Sequence, residues 1–144
     1  MKRITFLLVL LPSLCHSFEF YHGSIAYNSG NISDQISEQY GGDFKINIVL
    51  VAANKQGQET SRLQWHEIDK LDAESLQLIY VSAVTFEERK GGYYTSTDTA
   101  RNLLRDKEFK LLLITSDGAT VLDSSKLISA EEISLRLTQH NNEL

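Results

Sequence analysis

An uninterrupted apolar run, "IVLVAA" at residues 48–53, most constrains how this chain folds. A strand with one face in water alternates apolar and polar residues, and this one does not alternate. It has to be covered on both faces, as a parallel-sheet strand flanked by helices is. The reading is a buried strand over residues 45–53. The polar turn "NKQGQ" follows, and then Leu63, Ile68 and Leu71 recur at roughly helical spacing. Residues 59–71 therefore read as a helix, with Thr60 or Ser61 available as its cap.

The rest of the pattern extends that unit. Residues 76–86, "LQLIYVSAVTF", are β-branched and aromatic and read as a second strand. The polar loop "EERKGGYYTSTD" leads to a short helix at residues 98–107, with Ala100, Leu103 and Leu104 facing inward and Asp98 as a cap. Residues 109–115 and 119–123 flank "SDG", and Asp-Gly between two apolar runs signals a hairpin. A last helix starts at Ser129, where Glu132 completes a capping box; Ile133, Leu135 and Leu137 follow, and the chain frays after Gln139. The order β-α-β-α-β-β-α requires a right-handed parallel crossover, then an antiparallel hairpin. That is an α/β, thioredoxin-like arrangement: a mixed four-stranded sheet flanked by helices, over residues 44–139, with a tail at 140–144. Residues 18–43 mix aromatics with Gly, Asn and Ser. They read as an arm packed across the domain, anchored by Phe18, Phe20, Tyr21 and Tyr27, with one short helix ended by Gly41-Gly42.

Residues 1–17 read as a cleaved signal peptide. Lys2 and Arg3 precede a short apolar run, and Cys15-His16-Ser17 gives a small-x-small exit. The run is shorter than the roughly 20 residues that span a bilayer. Cys15 is the one cysteine; lipidation there is the alternative to cleavage near Ser17, and Leu14 before it argues for cleavage. The expected location is periplasmic or secreted. The 14 basic residues less Lys2 and Arg3 leave 12 against 19 acids, a formal charge of −7 on the mature chain. Phosphate backbones are bound by basic surfaces, so nucleic acid is not an expected partner. Another envelope or extracellular protein is, and the sequence leaves the oligomeric state open.

Three stretches carry a family resemblance. "FKINIVLVAANKQGQETSRLQWHEIDKL" resembles the opening strand and helix of the thioredoxin-like family named domain of unknown function 4174. "SRLQ" matches its helix segment with an Arg and a Gln. "EFKLLLITSDGATVLDSSKLISAEEI" resembles its Phe-x-Leu-Leu-Ile strand, Asp-Gly turn and final-helix start. The family occurs in small exported bacterial proteins and in animal extracellular-matrix proteins. The resemblance, over about residues 44–138, implies a fold and a location. It implies no catalytic residues, because the family has no established reaction. Bacterial members often end in a Met-Pro-Met-Arg-like tail, where this chain reads "HNNEL".

The residue types exclude the best-known chemistry of such a frame. Thiol-disulfide exchange needs an activated thiolate with a resolving thiol close by, and a mature chain without Cys15 has neither. It also has no proline where redox members carry one in cis; Glu108 or Phe109 stands there instead. His22, His66 and His140 are scattered, without the spacing of metal ligands. Asp98 and Asp117 are explained by a cap and a turn, Asp123 carries no local sign of catalysis, and no Gly-x-Ser-x-Gly elbow is present. No cofactor, metal or catalytic residue is assigned.

A binding site is expected beyond the carboxyl ends of the parallel strands. Residues 54–60, 87–97 and 107–109 converge there. That edge offers Asn54, Gln56 and Gln58 as amides, Arg89 and Lys90 as charge, and Tyr93 and Tyr94 as flat amphipathic surface. The expected function is a non-redox binding or structural module for a polypeptide or small anion. The alternative is a thiol-independent enzyme of an envelope or oxidative-stress pathway using the same edge.

Overall fold

In the computed structural model residues 17–86 and 91–143 are described. Their elements are β1 (Glu19–His22), β2 (Ile25–Asn28), α1 (Ile32–Tyr40), β3 (Asn47–Ala53), a short 3-10 turn (Lys55–Gly57), α2 (Gln58–Ile68) and α3 (Ala73–Leu76). After them come β4 (Leu78–Val84), β5 (Tyr93–Tyr94), α4 (Thr97–Leu104), β6 (Phe109–Ile114), β7 (Thr120–Ser124) and α5 (Ala130–Glu143). The seven strands form one mixed sheet in the order β2-β1-β5-β4-β3-β6-β7.

The apolar run forms the central strand. All seven residues of β3 are buried, between parallel β4 and antiparallel β6. Alternation then sends its side chains into two cores. Ile48, Leu50 and Ala52 pack with Phe20, Tyr27, Ile32, Ile36, Ala100 and Leu104 on one face. Val49 and Val51 pack with Ile68, Leu111, Leu113, Ile133 and Leu137 on the other. Each large side chain so buried contributes about 1.5–3 kcal/mol, which is why both faces must be covered.

The four-stranded sheet expected from the sequence is a seven-stranded one. Residues 18–43, expected as an arm, supply β1, β2 and α1, with Phe18, Phe20 and Tyr27 buried in the core. Phe20 and Tyr27 sit opposite each other in the β1–β2 ladder, both buried, around a two-residue turn in which Gly23 adopts φ +64°. The strands are four residues each, too short for alternation to stand out among Gly, Asn and Ser. Tyr93 and Tyr94, within the expected polar loop, form β5 and join the hairpin to β4. The helix foreseen before Gly41-Gly42 is α1, ended by Gly41 at φ +71°.

Local chemistry fixes the other ends. The Ser96 hydroxyl caps α4 by accepting from the Thr99 N–H at 3.1 Å; Asp98, expected as the cap, pairs with Arg101 instead at 2.7 Å. The Ser129 hydroxyl accepts from the Glu132 N–H at 3.2 Å, while the Glu132 carboxylate turns to Arg136. Gln64, fully buried on α2, donates to the Ile128 carbonyl at 2.8 Å and accepts from its N–H at 2.9 Å, fastening α2 to the segment before α5. Among the described residues no helix is long and apolar enough to cross a membrane.

Candidate functional site

The corner where β3 leads into α2 is closed by backbone packing. The Asn54 side chain accepts from the Gly57 N–H at 3.1 Å, so its amide oxygen serves the turn. The Asn54 N–H donates to the Glu108 carbonyl at 3.0 Å. Gly57 is buried against that same carbonyl: a Cβ there would lie 1.9 Å from the oxygen. Residues 54–57 and 108–109 thus meet as a sealed contact, with no room for a ligand between them.

The open space lies on the other flank of α2. A groove of about 470 Å³ runs between the turn and α2 on one side and the end of β4 on the other. Lys55, Gln56, Gln58 and Trp65 line the first wall, and Ser82, Val84 and Phe86 the second. Strand alternation explains what β4 presents. Val81 and Ala83 belong to the core with Phe20, while Leu78 and Tyr80 turn toward α2. Trp65 covers Tyr80 with ring centroids 6.0 Å apart. Two residues further along that face stands Ser82, only 5% exposed. Its hydroxyl has no hydrogen-bond partner among the described residues, the one buried side-chain polar atom there of which this is true. Leaving such a group unpaired costs about 1–3 kcal/mol.

Glu59, the single acid among the described lining residues, gives both oxygens to Arg62, at 3.1 and 2.5 Å. That pairing holds the Glu59 carboxyl below and the Arg62 guanidinium above their ordinary values. Lys55 joins no ion pair among the described residues, and the side chains of Gln56 and Gln58 and the Trp65 indole N–H are likewise without partners there. The groove therefore exposes the Lys55 ammonium, the Trp65 N–H and the Gln56 and Gln58 amides beside Val84 and Phe86, next to the start of an eleven-residue helix.

Of the residues expected at this edge, Gln56 and Gln58 line the groove and Asn54 caps the turn beneath it. Arg89 and Lys90 lie outside the described residues. Tyr93 and Tyr94 do not act together, because neighbours in a strand face opposite ways. Tyr93 packs in the core face near Phe20, Tyr27 and His22, with centroids 5.9, 5.9 and 4.7 Å away, and burial raises its hydroxyl's pKa. Tyr94 stands beside Tyr21 on the other side, and its hydroxyl reaches the Gly23 carbonyl at 3.5 Å. Neither lines the groove. Ser82, Trp65, Val84 and Phe86 were not foreseen; the signal for the first was a polar residue inside "LIYVSAV".

The histidines stay apart: His22 beside Tyr93, His66 exposed on α2, and His140 on α5 with its Nε2 3.0 and 3.1 Å from the two Asp117 oxygens. Asp123 pairs with Lys110 at 3.4 Å. No protein-family model matches the chain, and no curated protein matches it either.

Proposed function

We propose that the chain is an exported, thioredoxin-like binding module without thiol chemistry, whose working surface is the groove between α2 and the end of β4. The thioredoxin-like reading draws support from four neighbouring strands, β4-β3-β6-β7, in which a parallel pair is followed by an antiparallel hairpin. The single observation that carries the binding reading is Ser82, a residue in the wall of an open groove whose buried hydroxyl has no partner among the described residues. Buried polar groups are paired almost everywhere in folded proteins, and exceptions call for a reason such as a ligand that completes them. A binding role is favoured over catalysis because Glu59 is tied to Arg62 and, among the described residues, no other acid or histidine lines the groove.

The test is amide chemical-shift mapping of the mature chain against a library of small polar organics and tripeptides. Binders should perturb Gln58, Trp65, Ser82 and Val84 together. Perturbations scattered over the surface, or none, would remove the proposal. An insulin-reduction assay should give no rate above buffer.

A further inference from the structure

We infer that the groove takes a carboxylate joined to an apolar group, either a small free acid or the C-terminal end of a polypeptide; this deepens the binding reading above and rests on it. The first ground is hydrogen-bond balance. Ser82, Trp65 and Lys55 all offer N–H or O–H groups, and no described acceptor takes them. The Glu59 oxygens are engaged by Arg62 and that of Asn54 by Gly57, while the amide oxygens of Gln56 and Gln58 stay open among the described residues. A ligand oxygen placed beside Ser82 would meet these donors.

Charge is the second ground. The Glu59–Arg62 pair is neutral as a unit, so among the described lining residues Lys55 leaves one net positive charge, on a protein whose overall charge is −5. The adjacent helix start adds the same sign. One anionic group is matched, and a multiply charged phosphate chain is not. Shape supplies the third ground. Val84, Phe86 and the Trp65 ring form an apolar surface next to Ser82. About 470 Å³ suits a small molecule or the last residue or two of a peptide, and not an internal stretch of folded chain.

Trp65 is the only tryptophan, so its fluorescence reports directly on the groove. The probes are N-acetyl-leucine, N-acetyl-leucinamide, and a Gly-Gly-Gly-Ala-Leu peptide with a free or an amidated C-terminus, with calorimetry as a second readout. The acid forms should bind saturably and at least ten-fold more tightly than the amides. Ser82→Ala and Lys55→Gln should each weaken the acids about ten-fold, and Lys45→Gln at the opposite end of the sheet should not. Tighter binding of the peptide acid assigns the ligand to polypeptide termini, and the reverse assigns it to free acids. If the amides bind as well as the acids, the carboxylate assignment falls while the groove remains a binding site. If neither binds but shift mapping still finds groove ligands, the carboxylate assignment alone is overturned. Silence in every measurement overturns both.

Discussion

At Ser82 two physical demands conflict. The strand face it shares with Tyr80 and Val84 is apolar, and its hydroxyl is buried there without a partner among the described residues. Stability alone would favour alanine at this position. Ser82→Ala should therefore raise the unfolding free energy by about 1 kcal/mol, the lower part of the cost of an unpaired buried hydroxyl. Chemical denaturation with an unchanged m-value checks this, and a loss of stability on substitution would mean that the hydroxyl has an unseen structural partner. Asn47 illustrates the opposite case. Its Nδ2 donates to the Leu76 carbonyl at 2.9 Å and its Oδ1 accepts from the Ser116 N–H at 2.9 Å, so a buried amide is satisfied on both sides.

Among the elements, α2 carries the most varied duties. It covers the sheet through Ile68, walls the groove through Gln58 and Trp65, and holds the segment before α5 through Gln64. Glu67 adds to that attachment by accepting from the Ala130 N–H at 3.0 Å. Gln64→Leu would keep the volume and strand both polar groups of Ile128. A loss of about 2–4 kcal/mol in urea unfolding is expected, with hydrogen exchange speeding first at residues 128–130. The long elements were legible in the sequence for a clear reason. β3, β4, β6 and α4 have enough residues for an apolar run or a helical period to outweigh local noise, and the Asp-Gly turn and Ser129 box are encoded within a few positions. β1, β2 and β5 escaped because strands of two to four residues take their identity from long-range pairing. The groove escaped for a related reason. Ser82 and Trp65 are 17 positions apart, and only the α2 crossover brings them to the same space. The paired tyrosines misled, since adjacency in sequence means opposite faces in a strand.

Over the whole molecule, the end remote from the groove is fastened by the Asp117–His140 contact, which ties the β6–β7 turn to the last helix. The Thr115 hydroxyl, bonded to Asp117, is the main cause holding that carboxyl below its ordinary value of 3.8, and His140 adds to it. With the folded-state pKa lowered, the unfolded chain binds more protons. The contribution is therefore full above about pH 4 and disappears as pH falls through the folded-state value. Because the carboxylate is 43% exposed, the effect is modest. Asp117→Asn should flatten the acid limb of the stability profile and lower the urea midpoint at pH 6, with little difference from the parent at the lowest pH; parallel acid limbs for the two proteins would refute this role. The sealed corner has a consequence of its own. Placing a thiol at position 57 would drive its β-carbon into the Glu108 carbonyl, so cysteines introduced at 54 and 57 could not both be housed unless the crossover into β6 were rerouted. The path of the main chain, and not the choice of side chains alone, thus decides what this corner can hold.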